Sequence, residues 1–307
     1  MITPLIGLDW GSTRLRAYRF DEAGGVAQTR ALPWGSRHLP EGGFAEAFAQ
    51  AVEGWPCAPV LACGMVGSRG GWREAPYLDT PCRLDALAGA LTSLANPGGR
   101  TVHIVPGLRD PAGPDVMRGE ETQVAGLLAQ APALAEDARL LMPGTHSKWV
   151  RVRDGAVAGF TTVMTGELFA VLRAHSILGA GVAEGLADDE AFARGVATAR
   201  DAGAAGGLSR LFSARALMLE GALAPAAVAD FLSGLLIGDE LRMALAADWA
   251  SPDAPVHLVG EDALCARYRQ AAEAFGLSFL ATPGAIGAQG LWYVAAAAGL
   301  LEGLSHA

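Results

Sequence analysis

The chain lacks the runs that mark several large classes of protein. No apolar run reaches ~18 residues, the length that spans a bilayer, and residues 294–301 are too few and follow a polar segment. No membrane span is therefore expected. The N-terminus has no basic segment followed by an apolar one, so no signal peptide is expected either. Cysteine is scarce: Cys57, Cys63, Cys82 and Cys265 are the only four, and none forms a C-x-x-C pair. They read as reduced, mostly buried thiols of a cytoplasmic protein. No stretch is rich in Lys or Arg, and the net charge is −9. A nucleic-acid surface, which needs a basic patch, is excluded on that ground. A phosphate ligand is not, because backbone donors and Mg²⁺ can hold one locally.

Several familiar motifs are missing too. There is no G-x-x-x-x-G-K-[ST] loop and no dinucleotide G-x-G-x-x-G after a strand. Ser68 has Val66 two residues before it, so it is not the serine of a G-x-S-x-G elbow. The six histidines are scattered without H-E-x-x-H, and His146 reads as a hydrogen-bonding turn residue rather than a metal ligand. What remains is globular: 307 residues, 51% hydrophobic and 18% charged, enough for two domains with substantial cores.

The most informative stretch present is the start, Ile6-Gly7-Leu8-Asp9-Trp10-Gly11-Ser12-Thr13-Arg14-Leu15-Arg16. An apolar run ends in an aspartate, a Gly-Ser-Thr turn follows, and a basic strand begins. Free N–H groups at such a turn suit phosphate oxygens. An Asp at the strand end can hold a hydrated Mg²⁺. The pattern returns at Leu140-Leu141-Met142-Pro143-Gly144-Thr145-His146-Ser147-Lys148-Trp149, and Asp154-Gly155 is a hairpin-turn dipeptide. Two such hairpins suggest a duplicated domain, each turn holding one end of a triphosphate.

Apolar periodicity gives alternating strands and helices. Strands are expected at residues 5–9, 15–21, 26–31, 60–63, 102–105, 256–259 and 277–281. Helices are expected from 44, 119–131, 166–176, 188–202, 225–247, 262–275 and 286–301. The Pro/Gly-rich segment 106–114 is expected to be a loop. On the 225–247 helix, Val228, Phe231, Leu232, Leu235 and Leu236 share one face. The alternation implies mixed sheets covered by helices.

Three further constellations suit chemistry. Met117-Arg118-Gly119-Glu120-Glu121-Thr122 puts two carboxylates at a helix start, where the helix dipole also favours acids. One of them is a candidate general base. Gly64-Met65-Val66-Gly67-Ser68-Arg69-Gly70-Gly71-Trp72-Arg73 is a Gly-rich loop suited to a small polar or anionic ligand, with Trp72 as a wall. Thr165-Gly166-Glu167 offers another helix N-terminus that suits an anion.

Taken in order, these motifs and Phe231-Leu232-Ser233-Gly234-Leu235-Leu236-Ile237-Gly238 resemble the 2-dehydro-3-deoxygalactonokinases, within the sugar kinase/hsp70/actin superfamily. The resemblance implies an α/β fold of two actin-like (ribonuclease H-like) domains, with mixed sheets flanked by helices and a cleft between them. The expected division is 1–115 for a substrate and phosphate-loop domain and 116–307 for a nucleotide-binding domain, the last helix packing back on the first. It also implies ATP- and Mg²⁺-dependent phosphorylation of 2-dehydro-3-deoxy-D-galactonate at its terminal hydroxyl, in galactonate breakdown.

Carried over by position, Asp9 is the metal-directed carboxylate and Glu120 the base, with Glu121 second. Gly11, Ser12, Thr13, Arg16, Gly144, Thr145, His146, Lys148 and Gly260 face the nucleotide. Gly67, Ser68, Arg69, Trp72, Arg73, Arg14, Arg118 and Thr165 face the substrate, an arginine taking its carboxylate. Two departures stand out. Pro143 precedes Gly144 where the superfamily often has Asp, and Leu258-Val259-Gly260-Glu261-Asp262 has one Gly where a pair is usual. The expected partner is a small sugar acid, with no nucleic acid or membrane, and a homodimer is compatible with the resemblance. The rival expectations are a phosphatase of the same superfamily, acting on polyphosphate or nucleotide phosphates, and a non-catalytic nucleotide-dependent sensor.

Overall fold

A computed structural model describes residues 4–95, 99–182, 185–282 and 286–301. They divide into two compact units. The first takes the described residues up to Asp137, then 152–160, then those from 286 on; the second takes 138–151 and 161–282.

In the first unit, β1 (Ile6–Trp10), β2 (Leu15–Phe20) and β3 (Val26–Leu32) form an antiparallel meander. Then come α1 (Gly43–Ala51), β4 (Val60–Gly64), β5 (Tyr77–Asp79), β6 (Cys82–Arg83), α2 (Ala86–Gly89), β7 (Thr92–Ala95), β8 (Thr101–Ile104), β9 (Gly107–Asp110), β10 (Asp115–Met117) and α3 (Glu120–Gln130). The main sheet has the order β3-β2-β1-β4-β8-β7. β1, β4 and β8 are parallel, as their helical or long connections require. Alternation along β1 sends Ile6, Leu8 and Trp10 to one face, where they meet Phe48, Ala51 and Trp55 in a dry core. Asp9 points to the other face.

The segment 106–114, expected as a loop, contains β9, which pairs with β5 and β10 in a small second sheet. Its prolines flank the strand and do not occupy it, so every ladder donor survives.

The second unit is built from β11 (Asp137–Met142), β12 (Ser147–Arg153), β13 (Ala156–Val163), α4 (Thr165–His175), α5 (Asp189–Arg200), α6 (Ser213–Leu219), α7 (Val228–Ala246), β14 (Val256–Leu258), α8 (Asp262–Glu273) and β15 (Phe279–Ala281). Its strand order, β13-β12-β11-β14-β15, repeats the order β3-β2-β1-β4-β8 of the first unit. The tip of the β12–β13 hairpin belongs to the first unit, where Ala156 and Val157 pair with Arg83 and Cys82. α7 is buried on all sides, beyond the single apolar face expected. Gly234 and Gly195 let α7 and α5 approach to backbone contact: a Cβ on Gly234 would lie 2.0 Å from Phe192 O.

The final helix, α9 (Ile286–Ala297), packs on β1, β4 and α3 of the first unit. Gly126 and Gly290 make that approach possible, since a Cβ on Gly290 would lie 1.8 Å from Thr122 O. This packing draws α3 into the first unit, so the division does not fall at 115/116. No helix among the described residues is long and apolar enough to cross a membrane.

Candidate active site

In the first unit, the site is built around the end of β1. Asp9 lies in register with Arg16 of β2 and Cys63 of β4. Burial raises its pKa, and Arg16, whose Nη1 is 3.8 Å from Asp9 Oδ2, opposes the rise. The turn that follows is closed by the Gly11 N–H, which donates to Arg14 O at 2.9 Å. That donor is spent inside the turn. The carbonyls of Gly11 and Ser12 accept from the N–H groups of Ser36 and Arg37, at 3.0 and 3.1 Å. The turn is thus held from behind, while the N–H groups of Ser12 and Thr13 have no acceptor among the described residues. Gly35 lies against it so closely that a Cβ there would be 2.2 Å from Ser12 O.

β4 ends at Gly64, whose φ of 88° only glycine adopts cheaply. The loop beyond it is folded tightly on itself. Ser68 Oγ donates to Met65 O at 2.8 Å, Gly71 N–H to Ser68 O at 2.8 Å, and Ala75 N–H to Gly67 O at 3.0 Å. The Ser68 hydroxyl proton is therefore committed to its own loop. The ring of Trp72, expected as a substrate wall, stacks on Phe44 at 6.2 Å and packs against Phe48 and Trp10, as part of the aromatic core. Arg14, Arg69 and Arg73 are exposed, with no ion pair among the described residues.

Arg118 differs from those three. It is buried, its guanidinium stacked 4.2 Å above the Tyr77 ring, with Nη2 donating to Ala75 O at 2.8 Å. Its Nη1 lies against Gly67 and has no hydrogen-bond partner among the described residues. Next to it, Gly119 (φ 108°) brings the start of α3 against Gly64. Glu120 is half-buried, its Oε2 accepting the Arg118 N–H at 3.0 Å. Glu121 is fully buried. Its Oε2 accepts the Gly119 N–H at 2.6 Å, and its Oε1 the Thr122 hydroxyl at 2.9 Å. Burial, then the Glu120 charge, push its pKa up to about 7. Asp9, Glu121 and Glu120 all act on the buried Cys63 thiol, raising its pKa further after burial. The three carboxylates therefore share one neighbourhood.

In the second unit, the Gly144–Thr145 turn joins β11 to β12. Glu167 N–H donates to Thr145 O at 2.9 Å, and a Cβ on Gly166 would lie 2.4 Å from Gly144 O. The start of α4 is therefore seated on the turn, and Thr165 with it. His146 Nε2 pairs with Glu167. Lys148 is buried and donates to Thr162 Oγ1 at 2.6 Å. Gly260 lies beside Pro143 O. A cavity of about 700 Å³ opens here, lined by Gly144, Thr145, Thr165, Ser233, Leu264 and Arg267 among others. Such a volume suits a nucleotide-sized ligand.

Sequence reasoning missed Glu240, Tyr268, Asp230 and Arg267. The available signal was weak: α7 carries three acids, Asp230, Asp239 and Glu240, and only the fold shows that Asp230 and Glu240 are buried.

Among the described residues, no group of three His, Cys, Asp or Glu side chains could cage a metal ion. Mg²⁺ needs no cage, since one or two carboxylates, waters and substrate phosphates suffice. Asp9 fits that part: among the described residues its carboxylate pairs, loosely, with Arg16 alone, and the turn with the unspent N–H groups follows it in the chain.

The pattern of the 2-keto-3-deoxy-galactonokinase family matches residues 9–294. A Rhizobium meliloti (strain 1021) protein named "Probable 2-dehydro-3-deoxygalactonokinase" is 41% identical over 88% of this chain and 89% of its own. The 2-dehydro-3-deoxygalactonokinase of Escherichia coli (strain K12) is 38% identical over 92% of this chain and 94% of its own. The crystal structure of a candidate 2-dehydro-3-deoxygalactonokinase from Sinorhizobium meliloti superposes with a TM-score of 0.84, at 39% identity, over 95% of this chain and 98% of that one. The ADPNP-bound activator of the 2-hydroxyisocaproyl-CoA dehydratase from Clostridium difficile, 12% identical over 96% of each chain, shares the fold alone, with a TM-score of 0.52. Mixed sheets of repeated order, flanked by helices, make this the actin-like α/β fold. With the family pattern running nearly end to end, the chain belongs to the 2-keto-3-deoxy-galactonokinase family.

Proposed function

We propose that the chain is an ATP-dependent sugar-acid kinase. It transfers the γ-phosphoryl group to the terminal C6 hydroxyl of 2-dehydro-3-deoxy-D-galactonate, a step in galactonate breakdown, and works in the cytoplasm. The observation that carries this reading is the end of β1, where Asp9, a turn with two unspent N–H groups and the Glu120–Glu121 pair share one neighbourhood. Family membership and two relatives named for this activity support it.

Phosphoryl transfer is mostly positioning and charge stabilisation. ATP supplies the phosphoryl group; Asp9 would hold Mg²⁺, which would neutralise developing charge when bound. The residues of the chain do the rest. Ser12 and Thr13 direct N–H groups at phosphate oxygens. The Gly144–Thr145 turn, with Gly260, His146 and Lys148 nearby, serves the nucleotide. Glu120 takes the proton of the substrate hydroxyl. It is the better base than Glu121 on geometry: Glu121 is fully buried with both oxygens engaged, so it orients the Gly119–Glu120 turn. Arg14, Arg69 and Arg73 are the exposed cations to which the substrate carboxylate is drawn.

The test is ADP formation by purified protein, with and without 2-dehydro-3-deoxy-D-galactonate. Acid-dependent ADP release is expected, and Glu120→Gln should lower kcat by roughly 10²–10⁴ with ATP affinity little changed. Phosphate release independent of any sugar acid would favour a phosphatase instead. A large loss in Glu121→Gln alone would move the base by one position.

A further inference from the structure

Beneath the cavity of the second unit lies a carboxylate with no part in the reaction as described. Glu240 is 2% exposed, on the largely buried helix α7. Three donors from three other elements converge on it. Trp149 Nε1 of β12 donates to Oε1 at 2.8 Å, Tyr268 OH of α8 donates to Oε2 at 2.6 Å, and the Thr165 hydroxyl at the start of α4 also donates to Oε2. Ser147 Oγ lies 2.9 Å from Tyr268 OH. A phenol has one proton, and that of Tyr268 goes to Glu240, so Ser147 donates to Tyr268. The hydroxyl chain therefore runs one way, from Ser147 through Tyr268 to Glu240, with Thr165 joining from the other side.

Two of these donors, Thr165 and Tyr268, line the cavity beside Gly144 and Thr145. Ser147 begins the strand that leaves that turn. Glu240 thus ties the exit of the turn to the start of α4. A buried carboxylate is an expensive way to gain stability alone, since an apolar side chain of similar volume often does as well. What a fully satisfied buried network adds is one specified arrangement.

We propose that Glu240 is a positioning residue for the nucleotide, holding the Gly144–Thr145 turn and Thr165 in the arrangement that receives it. Because the Thr165 proton is committed to Glu240, the threonine oxygen offers lone pairs to the cavity. It accepts from a nucleotide hydroxyl and does not donate to phosphate. The inference rests on reading the cavity as the nucleotide site.

The experiment measures ATP binding by calorimetry, and KM for both substrates, on wild type, Glu240→Gln, Thr165→Val, Thr165→Ser and Trp149→Phe. Glu240→Gln and Thr165→Val should raise KM and Kd for ATP about tenfold or more, the range expected for losing a hydrogen bond to a charged group. KM for the sugar acid should stay within about twofold in both. Thr165→Ser, which keeps the hydroxyl, should restore ATP binding. Trp149→Phe removes a bond to the same carboxylate from a side chain that does not line the cavity; it should lower the melting temperature and leave KM for ATP unmoved. Unchanged ATP constants in Glu240→Gln and Thr165→Val, or an equal rise in Trp149→Phe, would overturn the proposal. If Glu240→Gln does not fold, the Thr165 pair decides. A wild type that binds no nucleotide overturns the cavity reading itself, which is a different failure.

Discussion

Replacing Glu121 by Gln separates a buried charge from the shape around it. Glu121 is fully buried, and its pKa rises from 4.5 to about 7 because burial, and then the neighbouring Glu120 charge, penalise the ionised form. An unfolded chain releases this proton near 4.5, whereas the folded chain holds it to about 7. Below pH 4.5 both states are protonated, and the stabilising contribution of the group is fully present. Between 4.5 and 7 the folded state binds the extra proton, so stability falls as pH rises. Above 7 the contribution is gone. At about 1.4 kcal/mol per pH unit, that interval is worth about 3 kcal/mol. Gln cannot ionise. Its carbonyl can take the Gly119 N–H, and its amide can face Thr122 Oγ1, which turns to accept. Whatever the constant offset between the two proteins, Glu121→Gln should therefore gain about 3 kcal/mol on wild type between pH 4.5 and 8. Urea unfolding of both proteins across that range, followed by tryptophan fluorescence, measures the difference at each pH. Two compact units can unfold in separate steps, so the transition that Glu121→Gln shifts is the one to follow. A difference that stays flat from pH 4.5 to 8 would refute the reasoning, because Glu121 would then ionise alike in both states.

Asp9→Asn should lose turnover by at least about 10²-fold, as removing a metal-directed charge costs several kcal/mol of transition-state stabilisation. Its melting temperature should not fall, because burial already disfavours the charged form; a variant with normal kcat at saturating Mg²⁺ would remove Asp9 from the reaction. Gly35→Ala places a Cβ 2.2 Å from Ser12 O and should raise KM for ATP, whereas Gly70→Ala meets nothing within 4 Å and should be kinetically silent; equal kinetics for the two would detach the 11–13 turn from phosphate binding. Neutral sugars such as glucose or glycerol should be rejected by several orders of magnitude in kcat/KM, and the C4 epimer only about tenfold to a hundredfold, since a site built for polar groups is left unsatisfied by analogues lacking them. Efficient turnover of neutral hexoses would refute that ordering.

The strands that position the site were legible because each is an apolar run stopped by Gly, Asp or Pro. β1 and β2, β4, β8 and β14 all lie within a residue or two of their expected places. β5, β6 and β10 hold two or three residues each, too few for any period to show, so the sheet that carries Tyr77 under Arg118 was not. The carboxylates at the start of α3 stood out beside Gly119, yet which one is enclosed depends on where Gly119 and Thr122 fall in space. Trp72 sat among glycines and looked like a wall. Its ring stacks on Phe44, 28 positions upstream, and no local pattern encodes that contact. Glu240 was the hardest to see, because an acid on a helix ordinarily faces water. Its partners lie 28, 75 and 91 residues away, and only the fold assembles them.

The repeated strand order makes the contrast between the two turns informative. Each sheet delivers a Gly-Ser/Thr turn at the end of its first strand, and each turn needs something to hold it in one shape. In the first unit the strand itself supplies a carboxylate, Asp9, and the turn is braced from behind by Ser36 and Arg37. In the second unit the strand ends Met142-Pro143, with no carboxylate to offer. There the acid comes from below, as Glu240 on α7, and acts through hydroxyls instead of facing the ligand. One acid sits at the end of its own strand, and the other reaches its turn only through the donors it orders. The same ladder can therefore carry different chemistry at its two turns, because that chemistry is set by a few side chains grafted onto it and not by the ladder itself.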